Sequence, residues 1–254
     1  MATHGHDKSA EQGAPKINVA ERAGHHTGNP QEMNRRLFMQ LVVYHCGQGM
    51  QPAAITEVIA ERMREQGQPV VIYADVSNPR GLGVLTFSEE PNDLVGPVRA
   101  TFASAPLDAI TLDTRMNMIG RSYASGYEAD LQFWLLDRPR QTVLNPKWPW
   151  AVWYPLRRSG AFAQLSPQEQ GAILREHGEI GRAYGEQDLA HDVRLACHGL
   201  DAADNEFLIG LIGANLHPLS HVVQSMRKTK QTSQYISQMG PFFVGRVLVQ
   251  HAGK

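Results

Sequence analysis

Residues 138–158 hold five cations, Arg138, Arg140, Lys147, Arg157 and Arg158, and no acid, with Trp148, Trp150, Trp153 and Tyr154 set among them. Unpaired cations beside aromatic rings suit a flat anionic ligand, because rings stack on its plane and guanidinium groups fork onto its carboxylates. The same composition also fits a half-buried strand whose basic ends reach for water. A single-stranded nucleic acid surface mixes cations and rings too. The formal net charge of −1 over 254 residues, however, gives no basic field for a polyanion, so no nucleic-acid partner is expected.

The second candidate is His177. Ser166-Pro167-Gln168-Glu169 reads as a helix start, with an N-cap serine, a proline at the first helical position and a glutamate closing the capping box. In the helix that follows, Ile173, His177, Ile180 and Tyr184 recur at spacings of 4, 3 and 4, which places them on one face. That face is expected to be buried. His177 is then either a core histidine bonded to an ordinary neighbour or a neutral imidazole presented to a metal or haem iron. The other histidines carry weaker signals. His4, His6, His25 and His26 sit in a polar N-terminal stretch, and His191, His198, His217 and His221 are scattered, His191 serving as an alternative residue over a ligand's far face.

The elements that must position these residues come in two similar runs. Residues 37–44 read as a strand, 51–66 as a helix with Ile55, Val58, Ile59 and Met63 on one face, and 69–75 and 82–87 as two strands joined by an Asn-Pro-Arg-Gly turn. Residues 91–103 read as a helix and 109–113 as a strand. The order then repeats, with strands at 148–156, 189–197, 206–212 and 242–249 and helices at 166–185 and 216–230. Two successive β-α-β-β-α-β units make an α+β fold of two tandem ferredoxin-like halves, whose sheets can join into a barrel. The chain divides into a flexible N-terminal arm (1–34), an N-terminal half (35–114), a connector (115–146) and a C-terminal half (147–254). Cys46 and Cys197 form no CxxC pair and read as reduced thiols. No secretory signal stands at the N-terminus and no segment approaches 18 apolar residues, so a cytoplasmic chain with no membrane span is expected.

Several short segments together resemble the chlorite dismutase family, in its coprohaem decarboxylase branch. They are Pro146-Lys147, Trp153-Tyr154-Pro155-Leu156-Arg157-Arg158, Leu174-Arg175-Glu176-His177-Gly178-Glu179-Ile180-Gly181, Gly199-Leu200-Asp201, Ser225-Met226-Arg227 and Gly240-Pro241-Phe242-Phe243-Val244-Gly245. The resemblance implies a paired ferredoxin-like barrel assembled as a homopentamer. It also implies an iron porphyrin, coprohaem or haem b, with His177 as the axial iron ligand and Tyr154 as the reactive tyrosine. Arg140, Arg158 and Lys147 would hold propionates, and Leu156 would line the cofactor. Hydrogen peroxide would be the oxidant for decarboxylating iron coproporphyrin through a tyrosyl radical.

Three positions depart from the family pattern. Asp192 stands where the decarboxylases often carry glutamine and the chlorite dismutases an arginine, with Arg194 the nearest arginine on the same strand face. Lys230, followed by Gln231, stands where the chlorite dismutases place a glutamate behind the axial histidine. Leu156 replaces a methionine. The expected activity is a coprohaem decarboxylase, with Tyr154, Asp192 and Arg194 as its catalytic residues. A haem peroxidase or chlorite-converting relative that depends on Arg194, and a non-catalytic haem-binding or haem-free barrel, are the alternatives.

Overall fold

The computed structural model describes residues 16–254. Its elements in chain order are β1 (Glu21–Ala23), β2 (Gln31–Met33), β3 (Phe38–His45), α1 (Pro52–Glu65), β4 (Val70–Asp75), β5 (Gly81–Ser88), α2 (Asn92–Val95), α3 (Pro97–Thr101) and β6 (Thr111–Ser122). There follow α4 (Arg138–Val143), β7 (Trp150–Arg158), α5 (Gly160–Ala163), α6 (Pro167–Glu186), β8 (His191–Ala196), β9 (Phe207–Gly213), α7 (Leu216–Met226), β10 (Ile236–Met239) and β11 (Phe243–His251).

Strands β3 to β6 lie in the order β4-β5-β3-β6, and strands β7, β8, β9 and β11 in the equivalent order β8-β9-β7-β11. Each order is that of a ferredoxin-like half. The halves join through β11–β4 and β6–β8, and the β7–β9 pairing closes the sheet on itself, all pairs being antiparallel. Closure leaves no long open edge for another chain to extend.

Strand periodicity sorts the side chains into layers. Alternate residues of β3, β7, β8 and β11, among them Met39, Leu41, Trp153, Val193, Leu195 and Phe243, fill the barrel interior. The intervening residues of β4 and β5 meet α1 and α3, and those of β7, β8 and β9 turn toward α6 and α7. In the interior the large rings sit over glycines in the third strand of each half. A Cβ on Gly83 would fall 2.3 Å from Cζ of Phe243, and one on Gly210 2.6 Å from the Trp153 ring.

Four expectations need correction. Residues 21–33 of the expected N-terminal arm form a hairpin, with Ala23 fully buried, Gly24 N–H donating to the Glu128 carbonyl at 3.0 Å, and Glu21 paired to Arg121 at 3.1 Å and to Arg36 at 3.4 Å. Polar contacts secure it, so hydropathy gives no sign of it. His4 and His6 lie outside the described residues. The connector begins later than expected, because β6 runs on to Ser122; the start of this strand is exposed and shows no apolar alternation. The helix expected at 91–103 breaks into α2 and α3 at Gly96. The last helix stops at Met226, and a π-helical turn (Gln231–Tyr235) leads into the short β10.

The interior packing predicts that Gly83→Ala, which drives a methyl into the immobile Phe243 ring, costs about 1–3 kcal/mol. Urea denaturation would show this as a lower midpoint at unchanged slope; an unaltered midpoint would show that the ring has room to move.

Candidate functional site

The two halves share a plan but pack their main helices differently. The 14-residue α1 buries Ile55, Thr56, Ile59, Ala60 and Met63. The 20-residue α6 buries Ile173 alone. Its expected inner face is built as the spacing predicts, but His177, Ile180 and Tyr184 are only half-buried. The residues that face it from β8 also remain wet: the side chains of Arg194 and Asp192 are 41% and 36% accessible. Yet protein surrounds both closely enough that desolvation is the first influence on their protonation. Side chains that are crowded and still reach solvent mark a cleft between α6 and the C-terminal sheet.

His177 enters it from the helix. Its Nδ1 stands 3.3 Å from Oγ1 of Thr229, which follows α7. Desolvation pushes the imidazole pKa down, the Arg194 charge pushes it further, and the Asp192 and Glu176 carboxylates oppose without prevailing. The ring is therefore neutral at pH 7, as a metal ligand must be. Among the described residues no three His, Cys, Asp or Glu side chains gather as a metal cluster. A metal at His177 would thus bring its remaining ligands with it, as iron in a porphyrin does.

Opposite the helix, Tyr154, Leu156 and Arg158 project from β7 on the face that meets α6 and α7. Tyr154 stacks on Phe242 at 4.6 Å. Burial raises its phenol pKa strongly, with the Asp192 carboxylate adding to the rise and the Arg227 charge working against it. The phenol stays protonated at any working pH. Leu156 is buried beside it. Arg158 lies between the rings of Phe162 (4.5 Å) and Phe207 (4.7 Å), and its Nε donates to Glu206 at 3.2 Å.

Asp192 and Arg194 do share one face of β8, as strand geometry requires. Asp192 sits between two guanidinium groups, Arg138 at 2.5 Å and Arg194 at 2.9 Å, and Arg138 also donates to the Asp192 carbonyl at 2.8 Å. Desolvation alone would raise the carboxyl pKa; the two arginine charges outweigh it and hold the group below the usual carboxylate range. Trp134 lies beneath both, 4.7 Å from Arg138 and 6.0 Å from Arg194.

Other candidates fall elsewhere. Arg140 turns from the cleft and pairs with Glu89 of the N-terminal half at 3.0 Å, a carboxylate that Arg35 also holds. Lys147 is exposed, with no ion pair among the described residues. His191 points to the opposite face of β8, stacked on Trp148 at 3.6 Å and bonded to Asp188 at 2.8 Å, so it does not overlook the cleft. His198, His217 and His221 are exposed. Of the connector aromatics, Tyr127 is 71% exposed on His26, while Tyr123 faces Arg194 and Arg158. Thr229, Arg138, Tyr123 and Phe242 complete the site; Arg138 is signalled by the acid-free segment, Phe242 by its place in the Gly240–Gly245 segment and Tyr123 only as a connector aromatic, while Thr229 carries no signal.

The chlorite dismutase family model matches residues 53–248, most of the chain and both halves. The chain belongs to the chlorite dismutase family. No curated protein sequence matches it. Among solved structures, a haem-binding protein of Thermus thermophilus is similar with a TM-score of 0.67 at 20% identity, over 85% of this chain and 92% of the other. Chlorite dismutase of Candidatus Nitrospira defluvii, as an arginine-to-alanine variant, gives 0.67 at 16% identity over 85% and 93%. The same enzyme in complex with imidazole gives 0.67 at 15% over 85% and 93%. These likenesses carry the fold. This chain's cleft carries a carboxylate locked between two arginines and a threonine behind the helix histidine.

The Asp192 pairings predict a pH signature. A carboxyl whose folded pKa is depressed adds stability that is complete above its unfolded pKa, about 4, and lost as pH falls through the folded value. Asp192→Asn should therefore lower the denaturation midpoint at neutral pH and flatten its decline on acidification. Wild-type and variant midpoints that run parallel from neutral to acid pH would show that the pairings contribute nothing.

Proposed function

We propose that the chain binds an iron porphyrin through Nε2 of His177 and, with hydrogen peroxide, decarboxylates iron coproporphyrin to haem b. The observation that carries this reading is the imidazole of His177, offered from a helix across the cleft to a sheet face bearing Tyr154 and arginines. The cleft has the donor set for such a ligand: one axial nitrogen, apolar walls at Leu156, Ile180 and Phe242, and cations at Arg158, Arg194 and Arg138 for carboxylates. A surface hollow of about 350 Å³ on the N-terminal half, between Pro52, Asp75 and Leu248, has no cation and no histidine in its lining. It offers an iron porphyrin neither ligand nor counter-charge.

Bound there, iron supplies the oxidising centre that peroxide activates. The protein's part is to place one propionate against Tyr154 and hold the others. Tyr154 gives up an electron and its proton, the latter to water in the open cleft, and the phenoxyl takes a hydrogen atom from the propionate chain. Loss of a second electron from that chain releases carbon dioxide and leaves a vinyl group, with the phenol restored. Per side chain, one propionic acid group and one hydrogen peroxide become one vinyl group, one carbon dioxide and two waters. Arg158 and Arg194 orient the carboxylates so that the reacting carbon sits close to the phenol. Glu206 holds Arg158, so a propionate must compete with that carboxylate.

A haem peroxidase is the second reading, and Asp192 favours it: a carboxylate beside a guanidinium can take the proton of hydrogen peroxide and return it to the departing oxygen. Chlorite conversion is disfavoured, because the small anion would have to displace Asp192 from Arg194 without the several carboxylates by which a porphyrin is anchored.

Addition of ferric coproporphyrin III to wild-type protein and to His177→Ala, followed by peroxide and mass analysis, tests the proposal. Binding is expected to depend on His177, and the wild-type product to lose carbon dioxide and two hydrogens from each of two propionates, in steps. Tyr154→Phe should bind the porphyrin and leave its mass unchanged. Oxidation of external donors with no mass loss would transfer the site to the peroxidase reading; binding indifferent to His177 would overturn both.

A further inference from the structure

We propose that Thr229 is a positioning residue for His177, one whose hydroxyl decides which ring nitrogen faces the cleft and how strongly that nitrogen binds iron. This rests on His177 being the axial ligand.

Thr229 is 1% accessible and lies just beyond α7. Its Oγ1 stands 2.8 Å from the Met226 carbonyl, which can only accept, so the single hydroxyl hydrogen points there. The same oxygen then presents only lone pairs to its other neighbours: Nδ1 of His177 at 3.3 Å, Oγ1 of Thr232 at 3.3 Å and the Thr232 N–H at 3.4 Å. A lone pair facing Nδ1 requires a hydrogen on Nδ1. Nε2 is thereby left with its lone pair, on the side of the ring away from Thr229.

The chemistry of the partner matters as much as its place. A carboxylate behind a metal-bound imidazole draws on the Nδ1 proton and strengthens the ligand. A hydroxyl committed to a carbonyl draws on it weakly, and 3.3 Å is long for the contact. Among the described residues no carboxylate bonds to Nδ1: that of Glu176, one residue from His177, accepts from the Lys230 backbone N–H at 3.0 Å instead. The side chain of Lys230 is exposed, so the unfavourable charge expected behind the histidine stands in water. With Nδ1 supported by a hydroxyl alone, His177 is accordingly a modestly basic ligand. That suits an iron porphyrin that must enter as substrate and leave as product.

Protein labelled with 15N-histidine, free of porphyrin, should show His177 protonated at Nδ1 and bare at Nε2 in long-range proton–nitrogen spectra. Thr229→Val keeps the branched shape and removes the hydroxyl. It should bring in the Nε2–H form and weaken binding of ferric coproporphyrin III about 10- to 100-fold, and Thr229→Ser should restore both. Thr229→Glu should raise the iron–histidine stretching frequency of the ferrous protein. An Nε2–H tautomer in the wild type, or a folded Thr229→Val with wild-type tautomer and affinity, would overturn the proposal. Porphyrin binding that ignores His177 would instead overturn the ligand assignment, whatever the tautomer.

Discussion

Helix α6 is fastened along one edge and left open over its face, and the functional reading of the C-terminal half depends on that arrangement. The fastenings are polar and run in a line. Tyr184 bonds to Ser225 at 3.0 Å and to His221, Glu176 receives the Lys230 N–H, and His177 meets Thr229. At Gly181 the missing side chain lets the Met226 methyl come within 3.5 Å of where a Cβ would stand. The capping box at Ser166 and Glu169 secures the helix start without help from the core. A helix held over its apolar face would close on the sheet, as α1 does in the other half. Held by its edge, α6 can carry a histidine at a distance from β7 and β8 and leave room for a flat ligand.

The same cleft sets two electrostatic problems that the protein resolves differently. At the sheet, two guanidinium groups approach each other across Asp192, whose carboxylate makes their proximity tolerable. At the helix, desolvation and the Arg194 charge push the His177 pKa down. One wall is therefore strongly polar and paired, the other neutral with a free lone pair. Incoming carboxylates meet arginines that already have partners, Glu206 for Arg158 and Asp192 for Arg194 and Arg138. Affinity for an anionic porphyrin is then a difference between two sets of charge-assisted bonds, and replacing an internal carboxylate by a ligand carboxylate changes little in net charge.

Much of this is legible in the sequence because local rules and packing agree. The alternation in β3 and β7, the helix face of α1 and the capping box of α6 all report their elements within a residue or two. His177 is legible as an inward residue from its 4-3-4 companions, and Tyr154 from its place on a strand of aromatic residues. Which arginine enters the cleft is not. Arg138 and Arg140 are two residues apart on one short helix, and the choice between them is made by distant residues, Asp192 on β8 and Glu89 at the end of β5. Thr229 is hidden for a related reason: between Lys228 and Lys230 it reads as solvated surface, and only the turn after α7 folds it under α6. The hairpin at 21–33 is invisible to hydropathy because ion pairs and backbone bonds hold it.

The central claim is that iron binds at Nε2 of His177 inside this cleft. A crystal structure of the protein with ferric coproporphyrin III bound tests it most directly. The account predicts the porphyrin plane between α6 and the β7–β8 face, the iron bonded to Nε2 of His177, and a propionate beside the Tyr154 hydroxyl. A porphyrin seated outside the cleft, or an iron bonded to any other side chain, would contradict it.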